Sequence, residues 1–586
     1  MTDFFEVLDR DGSARLGELR LDDPVITPAT VDAVLEDAGS RWVAKRSDPE
    51  GDTATLTILP HRGMPTGTRA VVQEAFAPEV PDVVFPAAAV ITPHIADDLG
   101  VDAYVLSGLS GIDNDARRLV QAVAETRRQI PPDTALYAPG IAEPATVPLL
   151  AYLGVDLFDT DRAVIAGTES RYLHVQGSTR LEDLEELPCA CQTCQGLTGD
   201  ELDIDAVIEH NLAQLDAMLR LVRNRIREGT LRDYLEGHVR HRPWMTAAMR
   251  HLDQEWTYLE ERTPVARQSA MAFTTDDALH RVEVVRFADR VTSRYRTQLD
   301  EYPLVLVPCS ATKPYSLSPS HRDFRDAIDF RGHIVSLTSP FGVVPDELEL
   351  VYPAQHYDTA VTGQWSASER EFVTDVLESY LERADYPRII AHVPREGYRA
   401  VVEEAVERVG GPEVTYTVDG HPRDDEALAS LAAELEGGWS YRRNRRYRAI
   451  IAAIADMQFG EGVGEDLTTS AEVIGRYPRL RLRDRDSEQL VTLVPQYGQL
   501  AFTLEGARWL DVNPDVDHVV HIEGFVPHGS VLAPGVLDAD PAIRVGDEVL
   551  VDGPAAFGVG RAAMSGDEMV RSTRGIAVDV RHVEER

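Results

Sequence analysis

The sequence predicts a multidomain α/β protein, and three observations carry that expectation. The chain has 586 residues, whereas single hydrophobic cores stop growing at about 250–300 residues. Over residues 1 to about 240, short apolar runs alternate with helical patterns, as strands and crossover helices do in α/β domains. Near the middle, Tyr302 to Val307 (YPLVLV) reads as a buried strand, and the stretch after it is crowded with polar groups. Pro308, Pro314 and Pro319 keep that stretch from forming one continuous helix.

Composition narrows the setting. Hydrophobic residues make up 43% of the chain and aromatics 7%, enough for several ordinary cores. No apolar run approaches the roughly 18 residues of a membrane helix, and the N-terminus MTDFFEVLDRDG is acidic. A cytoplasmic protein without membrane contact is expected. Of four cysteines, three fall in one six-residue window, which is not a disulfide framework, so reduced thiols are expected. The net charge is −40, with 98 Asp+Glu, as in proteins of salt-in halophiles. At about 1 M salt the Debye length is roughly 3 Å, so local basic islands matter more to a polyanionic partner than the total charge. Of the 58 basic residues only Lys45 and Lys313 are lysines. A lysine retained among so many arginines suggests work a guanidinium cannot do, such as losing its proton.

In chain order, VVFPAAAVI (83–91), DAYVLSG (102–108) and TALYAPG (134–140) read as strands and Asp115 to Gln129 as a helix, within a first domain over 1–240. The run GVDLFDTD (154–161) places Asp156 and Asp159 where a strand should end, the functional edge of an α/β fold; turn and cap roles are the bland alternative. Cys189, Cys191 and Cys194, with His210 at the start of a later helix, have the donor set of a tetrahedral structural zinc site. Three unconnected thiols are the alternative. Residues 241–300 read as a helical connector.

The central α/β sandwich is expected over 301–420. It holds Cys309, Ser310, Lys313, Tyr315, Ser318 and His321 on the strand-end loop, then GHIVSLTSPFGVV (332–344) read as one strand, a helix from Ser368 to Arg383, and the strand RIIAHVP (388–394). Ser339 to Gly342 and Tyr352 to Tyr357 sit at expected strand ends and are weaker candidates for the same pocket. Asp424 to Gly438 reads as an acidic linker. A small α+β domain over 440–505 opens with Arg442, Arg443, Arg445, Arg446, Tyr447 and Arg448, and a second basic stretch spans Arg476 to Arg483. Arginine interleaved with tyrosine suits phosphate contact and stacking on unpaired bases; a solvated arginine face is the alternative. Residues 507–583 show short strands punctuated by glycine at small β-barrel spacing.

These stretches resemble known families. GVDLFDTDRAVIAGTESRYLHVQGSTRLEDLEELPCACQTC followed by EHNLAQLDAMLRLVRNRIREGTLRDYLE resembles the distal half of archaeal tRNA-guanine transglycosylases, including their CxCxxC…H zinc site. The resemblance implies a degenerate TIM-barrel-like domain with Asp156 or Asp159 at the position of the family's nucleophile. That family also uses an Asp-Ser-Gly loop, and no Asp-Ser-Gly occurs in this chain. The C-terminal segment resembles the PUA domain, an RNA-binding barrel, through Gly529 to Gly535, Gly546 to Val549, Gly558 to Ala562 and Gly575 to Val578. Together with the central PC-x3-KPY-x2-S-x2-H motif, nearly the whole chain resembles the archaeosine synthase family.

That resemblance implies a tRNA partner carrying 7-cyano-7-deazaguanine at D-loop position 15, whose nitrile is converted towards the formamidine of archaeosine. It implies an amine donor (free lysine in several members, or glutamine or ammonia) and a radical partner enzyme that completes the product. A homodimer is left open. The residue types fit this chemistry on their own terms. A thiolate can add to a nitrile to give a thioimidate, which an amine then displaces. Cys309 is the thiol not assigned to metal, Lys313 could hold it as thiolate, and His321 or Tyr315 could supply a proton. Active base exchange, a non-catalytic tRNA scaffold and, more remotely, a cysteine peptidase are the rival readings.

Overall fold

The computed structural model describes residues 4–42, 49–65, 67–77, 79–360, 364–513 and 516–586, and Lys45 lies outside them. The chain forms two compact units. One comprises Met1–Thr263 with 532–534 and 568–575, and the other holds Pro264–Val531 and the remainder.

The first unit opens with an antiparallel sheet of Phe5–Asp11, Ala14–Leu19 and Val25–Thr27. A seven-stranded all-parallel sheet follows, ordered Ala29–Thr30, Leu157–Phe158, Ala135–Tyr137, Ala103–Leu106, Ala87–Ile91, Leu56–Ile58, Leu35–Asp37. Its first and last strands do not pair, so the sheet is a half-barrel. The expected helix runs Ala116–Gln129, capped by the Asp115 carboxylate accepting from the Arg118 amide. The 25-residue helix Ile204–Glu228 is capped by Asp203 and ends at Gly229 with φ 64°, a conformation glycine adopts without strain.

In the second unit the central sheet runs Gly342–Pro345, His333–Thr338, Leu304–Pro308, Ile389–Ala391, Val414–Tyr416. All neighbours are parallel except the first pair. The segment 332–344, read from sequence as one strand, is therefore two antiparallel strands, because the Ser339–Phe341 turn reverses the chain. Side-chain alternation sorts the central strand between two layers. Leu304 and Leu306 join the core that includes Val373 and Leu377 of the Ala367–Leu381 helix. Val305 and Val307 pack with Phe324 and Ile328 of the Pro319–Ile328 helix and with Leu431 and Leu435. The last two residues correct the expected acidic linker. Asp425–Glu434 is a helix whose apolar stripe, Ala427, Leu428 and Leu431, continues to Leu435 just past its end.

The expected connector 241–300 is likewise not one element. Helices Pro243–Asp253 and Trp256–Glu260 belong to the first unit. In the second unit, Met271–Phe273 pairs in parallel with Tyr357–Thr359, and Val282–Ser293 gives Val284, Phe287 and Val291 to the central core. The small domain combines helix Arg443–Phe459, buried throughout from Ala449, with an antiparallel meander of Glu472–Arg476, Arg479–Arg483, Gln489–Val494 and Gln499–Phe502. A six-stranded sheet from Val519 to Glu585 completes the chain. Among the described residues no helix is long and apolar enough to cross a membrane.

Candidate active site and metal centre

The central strand Leu304–Pro308 is flanked on both sides by parallel neighbours, so the C-terminal ends of three strands meet at one edge, where parallel sheets place ligand sites. Cys309 begins the loop there, its amide donating to the Leu337 carbonyl at 3.1 Å. Its half-buried Sγ lies 3.4 Å from the hydroxyl of Tyr398, which stands immediately before helix Arg399–Val409, past the loop that leaves the neighbouring strand Ile389–Ala391. Burial, and then the neighbouring Cys309, push the Tyr398 phenol far above its ordinary range, so it remains a proton donor. Trp365 packs on Tyr398 with ring centroids 4.5 Å apart.

Lys313 places its ammonium 3.7 Å from the centroid of the Tyr357 ring. Burial lowers its pKa, partly opposed by Cys309 and Asp358, which favours a lysine able to release and regain a proton. The Tyr357 hydroxyl links Tyr315 at 2.7 Å and Thr338 at 2.8 Å. Ser310, Ser318 and Ser320 form a hydroxyl chain with steps of 2.8 and 2.9 Å, which closes the loop on itself.

Two expected proton donors lie beneath this loop instead of facing outward. His321 is 2% exposed, stacks on Tyr315 with centroids 4.6 Å apart, and donates from Nε2 to the Pro308 carbonyl at 3.1 Å. Burial, reinforced by Arg325, takes its pKa down to about 4, so the ring is neutral at pH 7. Tyr315 is as deeply buried. Both position the backbone next to Cys309, and the group that touches the thiol is Tyr398. Sequence reading missed Tyr398, although the end of the 388–394 strand pointed to that edge. Of the weaker candidates, Tyr357 joins the site, while Ser339 donates to Glu369 at 2.6 Å and Phe341 packs edge-on against Tyr357.

The basic island divides. Arg446 binds Asp346 at 2.6 Å, Arg325 also binds Asp346, and Glu349 accepts from the Tyr477 hydroxyl at 2.5 Å and from the Ser316 amide at 2.6 Å. These arginines hold the Asp346 carboxyl well below its usual range. Arg446 and Tyr477 thus brace the motif loop from inside and are not surface groups for a phosphate, and Tyr447 is half-buried against the core. Arg442, Arg443 and Arg445 are exposed, Arg445 being paired with Glu301 at 2.5 Å. Gly529 and Gly535 flank the strand Ser530–Leu532; Gly529 has φ 85°, and a side chain at Gly535 would meet the Phe525 ring.

In the first unit, the donor atoms of Cys189, Cys191, Cys194 and His210 all lie within 4.8 Å of one another. His210 Nδ1 is 3.3 Å from Cys194 Sγ and 3.6 Å from Cys191 Sγ. Tetrahedral zinc would set such N···S separations at roughly 3.5 Å, so the cluster could hold a metal ion. Its surroundings are those of ligands: His210 donates from Nε2 to the Leu173 carbonyl at 2.8 Å, leaving Nδ1 for the metal, and Gln214 donates to Cys189 Sγ at 3.1 Å. Asp156 is consumed structurally, buried in an ion pair with Arg15 and accepting from the Leu136 amide. Asp159 accepts from Tyr137 at 3.0 Å and from the amides of Gly140 and Asp161 at 2.6 and 3.2 Å.

Comparison with protein families matches residues 88–243 to queuine tRNA-ribosyltransferase, 284–435 to a domain of unknown function (DUF5591), 449–514 to the patch-forming domain C2 of tRNA-guanine transglycosylase, and 522–583 to the PUA domain. Archaeosine synthase of Haloferax volcanii is 51% identical over 589 aligned residues that cover 100% of both chains. The chain belongs to the archaeosine synthase family. Archaeosine synthase subunit alpha of Methanosarcina acetivorans is 41% identical, again over 100% of each chain. The tRNA-guanine(15) transglycosylase of Methanothermobacter thermautotrophicus is 27% identical over 79% of this chain and 68% of its own. In this archaeosine synthase family member every residue from Cys309 to His321 lies in the 284–435 match, whereas the Cys3His cluster lies in the transglycosylase match.

Proposed function

We propose that this chain is a tRNA-modifying archaeosine synthase that adds an amine to the nitrile of 7-cyano-7-deazaguanine in the tRNA D-loop. The observation that carries the reading is the placement of Cys309 Sγ at a strand-end edge, 3.4 Å from a phenol that stays protonated and beside a lysine of lowered pKa. The thiol proton passes to Lys313 once that group has released its own, a step that burial eases, and sulfur bonds to the nitrile carbon. The displaced π pair goes to nitrogen, which takes the proton back from Lys313 while Tyr398 hydrogen-bonds the departing or returning sulfur. The amine donor then attacks the thioimidate carbon, the C–S bond breaks, and the sulfur leaves with a proton as the free thiol. Free lysine is the first donor to test, with glutamine and ammonium beside it, and a radical enzyme would complete archaeosine from a lysine adduct. Zinc at Cys189, Cys191, Cys194 and His210 would staple the half-barrel, because four ligands from the chain leave no coordination position for substrate. The PUA barrel with Gly529 and Gly535, together with Arg442, Arg443 and Arg445, would hold the tRNA.

Base exchange is the second reading, and the first unit argues against it. The Asp159 oxygens already accept three hydrogen bonds. Asp156 is likewise committed, buried in an ion pair with Arg15 and accepting from the Leu136 amide. The test is nucleoside mass spectrometry after incubating the protein in molar potassium chloride with cyano-deazaguanine tRNA and isotopically labelled lysine, glutamine or ammonium. A mass gain of one donor with the native protein, absent in Cys309→Ala, is expected. Full adduct formation by Cys309→Ala would end the covalent route, and exchange of free base into unmodified tRNA without any donor adduct would overturn the reading.

A further inference from the structure

A surface in the second unit has no part in the chemistry above. Between helices Asp425–Glu434 and Arg443–Phe459 the chain turns through Gly437 at φ 76°, a conformation that favours glycine, and projects Trp439 outward. Trp439 is 89% exposed, more than any other tryptophan or phenylalanine among the described residues, and no ring or cation covers it. Arg442 and Arg443 follow it, both exposed and, among the described residues, neither paired with a carboxylate. In a chain of net charge −40, two unpaired guanidinium groups beside a bare indole form a local basic and aromatic island.

A cleft of about 700 Å³ adjoins the same helix. Arg445, Arg448 and Asp456 line it, and their spacing puts them on one helical face. Arg296, which also lines it, and Arg448 have no ion-pair partner among the described residues. Asn444 and Gln298 add amide donors and acceptors, and Asp300, Glu465 and Glu472 add carboxylates able to accept from exocyclic amines. The volume suits a nucleotide, and the mixture of cations, amides and acids suits base edges.

We propose that Trp439, Arg442, Arg443 and this cleft form a docking site for unpaired RNA, with one base stacked on the indole and neighbouring nucleotides entering the cleft; the proposal rests on the tRNA reading above. The stacking contact matters most at high salt. At about 1 M salt the phosphate–arginine attraction is screened within roughly 3 Å, whereas base–aromatic stacking is not electrostatic in origin and persists. An indole on a loop cannot reach bases stacked inside an A-form duplex, so the site selects splayed or single-stranded nucleotides.

The experiment uses the full-length protein, a fluorescent oligouridylate of about ten nucleotides, a fluorescent RNA duplex of similar length and whole tRNA, with binding followed by anisotropy at low and at molar potassium chloride. Trp439→Ala should weaken the oligouridylate about tenfold at both salts, and Trp439→Phe should retain most of the affinity. Arg442→Gln with Arg443→Gln should weaken it at low salt and flatten the logarithmic salt slope by about 1.4. Duplex affinity should stay within about twofold throughout. Unchanged oligouridylate affinity in Trp439→Ala, or an equal loss on the duplex, would overturn the proposal. If native protein binds tRNA normally in either of those cases, only this inference fails; if native protein binds no RNA at all, the tRNA reading fails with it.

Discussion

Replacing His321 by glutamine tests whether the histidine braces the loop as a neutral, buried group. The side chain is 2% exposed, and burial takes its pKa from an ordinary 6.5 to about 4. The folded value lies below the unfolded one, so the unfolded chain binds the proton more readily. The stabilisation from keeping a neutral ring is therefore complete above about pH 6.5 and is lost as the pH falls towards 4. A shift of about 2.5 units corresponds to about 3 kcal/mol in full, of which about 2 kcal/mol is gone by pH 5. Glutamine can still donate to the Pro308 carbonyl but does not titrate. Peptide-resolved hydrogen exchange of the Leu304–Pro308 and His333–Thr338 strands against urea, at pH 7 and pH 5 in molar salt, isolates this domain from the others. The native protein should lose about 2 kcal/mol more than His321→Gln between those pH values. Equal losses in the two proteins would show that the ring titrates normally and would refute the argument for a buried neutral brace.

Four other outcomes follow from the site. Tyr398→Phe should slow both alkylation of Cys309, read by peptide mass spectrometry, and formation of the donor adduct by about tenfold while leaving tRNA affinity unchanged; an unaltered alkylation rate would remove the phenol from the chemistry. Lys313→Arg keeps a cation over Tyr357 but cannot accept the thiol proton, so adduct formation should fall at least about a hundredfold with stability changed by less than about 1 kcal/mol, measured by urea unfolding. Arg446→Ala leaves Asp346 and Glu349 short of their partner and should cost about 3–5 kcal/mol, visible as a lower unfolding midpoint, with any loss of RNA affinity vanishing once the protein is fully folded. Metal chelation, followed by calorimetry, should lower the melting temperature of the transglycosylase-like unit, and a restored value on adding zinc would separate metal loss from damage by the chelator.

What was legible in the sequence was whatever sits on one element with a strong local signal. The YPLVLV strand, its polar end loop, the Cys3His spacing and the glycine-spaced barrel could each be read without tertiary knowledge, because period, turn chemistry or ligand identity is local. The helix Asp425–Glu434 was not legible, since flanking acids and glycines make the stretch look like a linker and only contact of Leu431 and Leu435 with Val305, Val307 and Phe324 shows which face counts. The 332–344 hairpin was lost because a reversal at Ser339–Phe341 interrupts an otherwise continuous β-branched run. Tyr398 stands 89 residues from the thiol it touches, a proximity set by strand order. The basic island misled in a different way: Arg442 and Arg446 are four apart and identical in sequence logic, yet one meets solvent and the other meets Asp346, a distinction that depends on the partner helix and sheet.

The Arg443–Phe459 helix gives the two halves of the proposed function a common frame. Its exposed first turn follows Trp439 and Arg442, while one turn further Arg446 holds Asp346, whose second partner Arg325 reaches Glu349, which in turn accepts the Ser316 amide of the Cys309 loop. Every link in that series is a charge-assisted hydrogen bond, and the Asp346 and Glu349 carboxylates are largely withdrawn from water, where such bonds tolerate little displacement. A nucleotide docked at the start of the helix is thus referred to the same rigid body as the thiol. On a surface dominated by acids, and in molar salt, long-range attraction would offer little to align a substrate, so fixed distances between the proposed stacking site and the thiol would become the means of alignment. The buried arginine would then act on the substrate only through the loop it braces, whereas the exposed ones would touch the RNA.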